Sequence, residues 1–317
     1  MPGTMRITSV SRAVGLALIA AGLTAAATAR PAAADHVLDL SFNADLAAQG
    51  FPSPLLRATV NGQVVWFLMD TGASVHTLAT WFVAAAHLPT HESKLTLVGS
   101  TGATTKAREA SPFQLQARDS TPFGIHDAVV VDFPAVFADQ KIAGLLSPQL
   151  LASPGQAAVL NLQTPSIGFG PFSAEVARLG ITSTAATAGT HVCPTQDPAA
   201  NGRTYGVPAT VAGIAADMTA DTGATSTTIA STRIARALTS RAVANTEIQG
   251  VGGDAQKART VAGVTVVRAG VARKADVVLA GGAGGNCGVD GLLGMDALRG
   301  CTLVLAEKTM GIGCGGS

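Results

Sequence analysis

The apolar positions of this chain fall into short runs divided by turn residues, the pattern of strands rather than of helical stripes. Residues 55–60 and 63–69 flank Asn61-Gly62, a strong two-residue hairpin signal. Within the second run, residues 64–69 are continuously apolar, as expected of a strand buried on both faces. Further strands are expected at 37–42, 128–131 and 261–267, with a closing hairpin at 303–306 and 309–312. Short helices are expected at 78–86 and 231–238. Residues 171–206 mix Ser, Thr, Ala, Pro and Gly without a clear period and read as a link between two halves.

The halves repeat one another. Ala58-Thr59-Val60-Asn61-Gly62 matches Ala209-Thr210-Val211-Ala212-Gly213 at an offset of 151 residues. The same offset pairs Asp70-Thr71-Gly72-Ala73 with Asp221-Thr222-Gly223-Ala224, Gly99 with Gly250, Gly102 with Gly253, and Lys106-Ala107-Arg108 with Lys257-Ala258-Arg259. Past that point it drifts, and Gly144-Leu145-Leu146 matches Gly291-Leu292-Leu293 at an offset of 147. A long unit present twice implies two like lobes, since a solenoid needs at least three units. Ala212 stands where the first copy has Asn61, so the second hairpin turn is the weaker signal.

The first residues read differently. Arg6 and Arg12 precede an apolar run at 14–27, too short to span a bilayer, and the small-residue sites Ala32-Ala33-Ala34 and Ala27-Thr28-Ala29 follow. This is the form of a secretory signal, with Met5 as an alternative start. The expected layout is a signal at 1–34, a first lobe at 35–172, a link at 173–206 and a second lobe at 207–317. Export to a periplasm or the medium is expected, with no membrane attachment after signal removal. Losing Arg6, Arg12 and Arg30 from 21 basic residues leaves 18 against 20 acidic ones. A near-neutral chain with one Tyr and two Trp has no electrostatic or aromatic footprint for nucleic acid.

Two Asp-Thr-Gly copies, each after a strand and inside a duplicated frame, are the candidate chemistry. Paired carboxylates share one proton, so one member can act as general base while the other donates a hydrogen bond. Other chemistries find no support. The six His show no H-E-x-x-H or paired ligand spacing and are each expected at the surface or in a turn, so no metal is expected. Ser74 and His76 lack a G-x-S-x-G elbow, and residues 281–288 fit no phosphate-binding pattern.

The sequence resembles the pepsin/retropepsin superfamily of aspartic peptidases in its two-lobed, secreted, bacterial form. The resemblance runs from about residue 37 to residue 314, through Leu68-Met69-Asp70-Thr71-Gly72 with Ile142-Ala143-Gly144, and Thr219-Ala220-Asp221-Thr222-Gly223 with Val289-Asp290-Gly291. It implies an all-β fold of two pseudo-symmetric barrel-like lobes with a cleft between them. It implies an aspartic endopeptidase acting on polypeptide as a monomer, without cofactor. Asp70 and Asp221 would be catalytic. Thr71 and Thr222 would grip across the lobes, Gly72 and Gly223 would let backbone approach the carboxylates, and Gly144 and Gly291 would support the loops. Gly99, Gly102, Gly250 and Gly253 sit where the family carries a flap. The first lobe departs from the pattern, with Ala143 and Ser147 where its twin has Asp290 and Gly294, and no Tyr near Gly99. An aspartic-peptidase fold kept as a binding or inhibitor protein is the rival reading.

The four Cys suit an oxidising compartment. In a hairpin centred on Glu307-Lys308, Cys301 faces Cys314, close enough for a disulfide. Cys193 and Cys287 then pair by elimination.

Overall fold

The structure is a computed structural model and describes residues 37–98, 104–117, 122–180, 183–194, 202–241, 243–248, 256–280, 287–288 and 290–315. The first half runs β1 (Leu38–Ser41), α1 (Ala44–Ala48), β2 (Leu55–Val60), β3 (Gln63–Met69), β4 (Thr77–Ala79), α2 (Thr80–Ala85), β5 (Thr90–Val98), β6 (Thr104–Gln116), β7 (Pro122–Val131), α3 (Ala135–Asp139), β8 (Ile142–Leu146), a 3₁₀ turn (Pro148–Leu150), β9 (Ala157–Asn161) and β10 (Ser166–Gly170). Then come α4 (Phe172–Arg178), α5 (Ser183–Thr187), β11 (His191–Pro194), β12 (Arg203–Val211), β13 (Ile214–Ala220), β14 (Thr228–Ile229), α6 (Thr232–Leu238), β15 (Val243–Ile248), β16 (Gln256–Arg268), β17 (Val271–Leu279), β18 (Gly291–Leu293), α7 (Met295–Leu298), β19 (Cys301–Leu305) and β20 (Met310–Cys314).

The fold is all-β and two-lobed. In the first lobe β2-β3-β8-β4-β7-β6 form a six-strand ring, closed where Thr59 of β2 meets Gln116 of β6. In the second, β12-β13-β18-β14-β17-β16 form its counterpart, closed where Ala209–Val211 meets Val266–Arg268. The hairpin turns match as well. Asn61 and Gly62 both take positive φ (47° and 77°), and so do Ala212 and Gly213 (52° and 84°), the requirement of a type I′ turn. Asn adopts that region readily and Ala does not, so Ala212 is held there by the strands it joins.

Inside each ring one short strand threads between two neighbours that run in opposite directions. β8 runs parallel to β3 and antiparallel to β4, and β18 runs parallel to β13 and antiparallel to β14. The approach is so close that a Cβ on Gly144 would lie 2.0 Å from the Thr77 carbonyl oxygen, and one on Gly291 would lie 1.9 Å from that of Thr228. This is why each apolar run here breaks at a glycine. A continuous apolar core passes through both rings, from Phe67 and Met69 in the first to Met218 and Val266 in the second.

Several sequence expectations need correction. The helix expected at 78–86 is β4 followed by the shorter α2, because Thr77–Ala79 pairs in parallel with Val129–Val131. β3 is buried on both faces only from Phe67; Val64 is 47 % exposed. The stretch read as a link between the halves carries, among its described residues, α4, α5, β11 and the start of β12, which its mixed composition does not signal. The closing hairpin β19–β20 pairs with β9, in one sheet with β10 and β1 of the first half.

Candidate active site

Asp70 and Asp221 are the first residues after β3 and β13. Their backbone N–H groups donate to Leu146 O at 2.9 Å and Leu293 O at 3.0 Å, so each loop starts from the strand pair that Gly144 or Gly291 permits. Each carboxylate then organises its own loop. Asp70 Oδ1 accepts from the N–H of Gly72 (2.8 Å) and of Ala73 (3.0 Å). Asp221 Oδ1 accepts from Gly223 (2.9 Å) and Ala224 (3.1 Å).

The loops lock to each other through the threonines. Thr71 Oγ1 donates to Ala220 O (2.8 Å) and accepts from Thr222 N–H (3.0 Å). Thr222 Oγ1 donates to Met69 O (2.7 Å) and accepts from Thr71 N–H (3.1 Å). Both side chains are fully buried, and each spends its hydroxyl on the opposite strand. The glycines set the distance between the carboxyls. A Cβ on Gly72 would lie 2.5 Å from Asp221 Cγ, and one on Gly223 would lie 2.4 Å from Asp70 Cγ. Only a residue without a side chain fits at either place.

The consequence is electrostatic. Burial raises Asp70 above the usual carboxylate range. Burial raises Asp221 further, with the negative charge of Asp70 beside it adding to the effect. Two carboxyls so placed cannot both ionise easily and share one proton, one charged and the other able to donate.

The second loop is also tied to the first half of the chain, since Thr225 Oγ1 donates to Gly50 O. Behind the first loop lies His76, whose Nδ1 accepts Ser147 N–H at 3.1 Å. Burial holds His76 neutral, lowering its pKa to about 3, and its ring packs edge-on to His126 at 5.0 Å. His76 and His126 are 3 % and 8 % exposed, which corrects the expectation of surface positions for all six histidines.

Asp70, Thr71, Gly72, Asp221, Thr222 and Gly223 thus meet at one point, with Gly144 and Gly291 one layer behind. Gly99, Gly102, Gly250 and Gly253 lie outside the described residues, in the sequence stretches that follow β5 and β15. Cys301 and Cys314 face each other in the β19–β20 register and are disulfide-bonded, as are Cys193 and Cys287. His191 lies with this second pair, but both sulfurs are spent in the bond.

A family model described as aspartyl protease matches residues 56–149 and again 207–297. Together the two matches take in more than half of the chain, and the chain belongs to that family. Among solved structures, an aspartic proteinase from Irpex lacteus aligns at 12 % identity and a TM-score of 0.45, covering 89 % of this chain and 97 % of that one. No curated protein matches the sequence.

Proposed function

We propose that this protein is an aspartic endopeptidase in which Asp70 and Asp221 activate a water molecule against a peptide bond. One observation carries the reading: two carboxyls from sequence-matched loops are pressed together by Gly72 and Gly223 and held there by reciprocal threonine bonds. The charged member takes a proton from water as general base. The protonated member donates to the scissile carbonyl and stabilises the charge that develops on its oxygen. The attacking oxygen comes from water, so no covalent enzyme intermediate forms. As the tetrahedral carbon collapses the C–N bond breaks, the proton taken from water passes to the leaving amine nitrogen, and the proton lent to the carbonyl oxygen returns to the carboxyl pair. The substrate is an extended polypeptide, whose alternating side chains fill successive pockets along a cleft.

The two disulfides support export to an oxidising compartment, with residues 1–34 removed as a signal, lobes at 35–172 and 207–317, and a link at 173–206. The test is hydrolysis of casein by purified mature protein, with and without a peptide inhibitor that mimics the tetrahedral transition state. Cleavage that the inhibitor abolishes is expected; an inert protein rejects the proposal.

A further inference from the structure

The two active-site loops are built alike but supported from behind by different chemistry. In the second lobe Met295 N–H donates to Ala224 O at 2.9 Å. The Asp296 carboxylate accepts Thr227 N–H at 2.9 Å and Thr227 Oγ1 at 2.8 Å. The offset of 147 that pairs Gly144 with Gly291 puts Ser147 opposite Gly294, Pro148 opposite Met295 and Gln149 opposite Asp296. Proline has no N–H, so the bond equivalent to Met295–Ala224 cannot form in the first lobe.

Two side chains take its place. Ser147 Oγ donates to Ala73 O, and Gln149 Nε2 donates to the same oxygen at 2.9 Å. Both residues are fully buried. The orientation of the Gln149 amide follows from its partners: Nε2 faces two carbonyls, Ala73 O and Arg203 O (2.8 Å), and carbonyls only accept. Arg203 Nη2 returns a bond to Gln149 O at 3.0 Å, so the same residue joins the first loop to β12 of the second ring.

We propose that Gln149, with Ser147 beside it, is a positioning residue for Asp70: it replaces the donor lost at Pro148 and fixes residue Ala73, whose N–H donates to the Asp70 carboxylate. The proposal rests on reading Asp70 as one half of the catalytic pair. If Ala73 is released, Asp70 loses a donor that favours its charged form, and its titration moves to higher pH. The ionisable side chain facing Asp70 among the described residues is Asp221, and it is unchanged in every variant below. His76, behind the loop, stays neutral throughout the working range.

The experiment uses the mature chain carrying Ser147→Ala with Gln149→Met, and the same chain with Pro148→Ala added to restore a backbone N–H. Two readouts are taken against pH: kcat and KM on a peptide the wild type cleaves, and the carboxyl ¹³C titration of the Asp70–Asp221 pair. In the first variant kcat is expected to fall about tenfold, equivalent to about 1.4 kcal/mol, with KM changed less than about twofold. The acid limb and the carboxyl titration should both move upward, and Pro148→Ala should bring them back. An unmoved titration, or a shift that Pro148→Ala leaves in place, overturns the proposal. Gln149→Met alone, which removes the donor without adding a charge, should move the titration the same way and serves where the double substitution does not fold. A wild type inert on every peptide would reject the proposed function instead, and the carboxyl titration would still decide the positioning role.

Discussion

Thr222→Val tests the interlobe lock with the least change of shape. Valine keeps the volume of threonine but cannot bond, so the substitution leaves Met69 O and Thr71 N–H, previously satisfied at 2.7 and 3.1 Å, without partners in a buried site. A buried polar group left unpaired costs about 1–3 kcal/mol, so two of them cost about 2–6 kcal/mol. Thr71→Val strands a different pair, Ala220 O and Thr222 N–H, at a similar cost. Against a total stability of about 5–15 kcal/mol, either single variant should be visibly weakened and the double variant brought near unfolding. Thr222→Ser, which keeps the hydroxyl, should recover most of the loss. The assay is urea unfolding at fixed pH, with stability taken from linear extrapolation. A Thr222→Val protein within about 0.5 kcal/mol of wild type, the range of an ordinary surface change, would refute the claim that these hydroxyls hold the loops together.

Gly72→Ala and Gly223→Ala should each abolish peptide hydrolysis, since the added methyl meets the opposing carboxyl at 2.5 and 2.4 Å; wild-type turnover by either would contradict the geometry. Asp221→Asn should raise thermal stability at neutral pH. A carboxyl whose folded pKa is raised binds its proton more tightly when folded, so stability falls as pH rises through that value. Asparagine escapes that loss, by about 1.4 kcal/mol for each pKa unit of elevation, and the advantage should fade near the ordinary carboxyl value of about 3.9 in melts taken across pH. Ala212→Gly should stabilise the β12–β13 turn by about 0.5–1 kcal/mol in the same unfolding assay, because φ there is positive.

What the sequence revealed was local or repeated. Asn61-Gly62 set the first hairpin register, and the offset of 151 carried it to Ala212-Gly213, although alanine alone gives no turn signal. The facing of Cys301 and Cys314 followed from counting outward along one hairpin. Asp70 and Asp221 stood out because the motif occurs twice. What stayed hidden depends on partners far away in sequence. Nothing in residues 301–314 says that β19 will pair with β9. Leu78-Ala79 joins a helical pattern unless Val130–Val131 is known to lie alongside. His76 and His126 are buried among partners distant in the sequence, each other's rings and, for His76, Ser147, which no spacing records. Gln149 and Ser147 left one trace, a proline opposite Met295, which becomes meaningful once the bond from Met295 to Ala224 is seen.

The central claim is that Asp70 and Asp221 work as one unit on a peptide bond. Its most direct test is turnover of a quenched-fluorescent peptide library by wild type, Asp70→Asn and Asp221→Asn, with folding of each verified by circular dichroism and thermal melting. The account predicts cleavage by the wild type and its loss in both variants while the fold persists. Cleavage at the wild-type rate by either asparagine variant would contradict it.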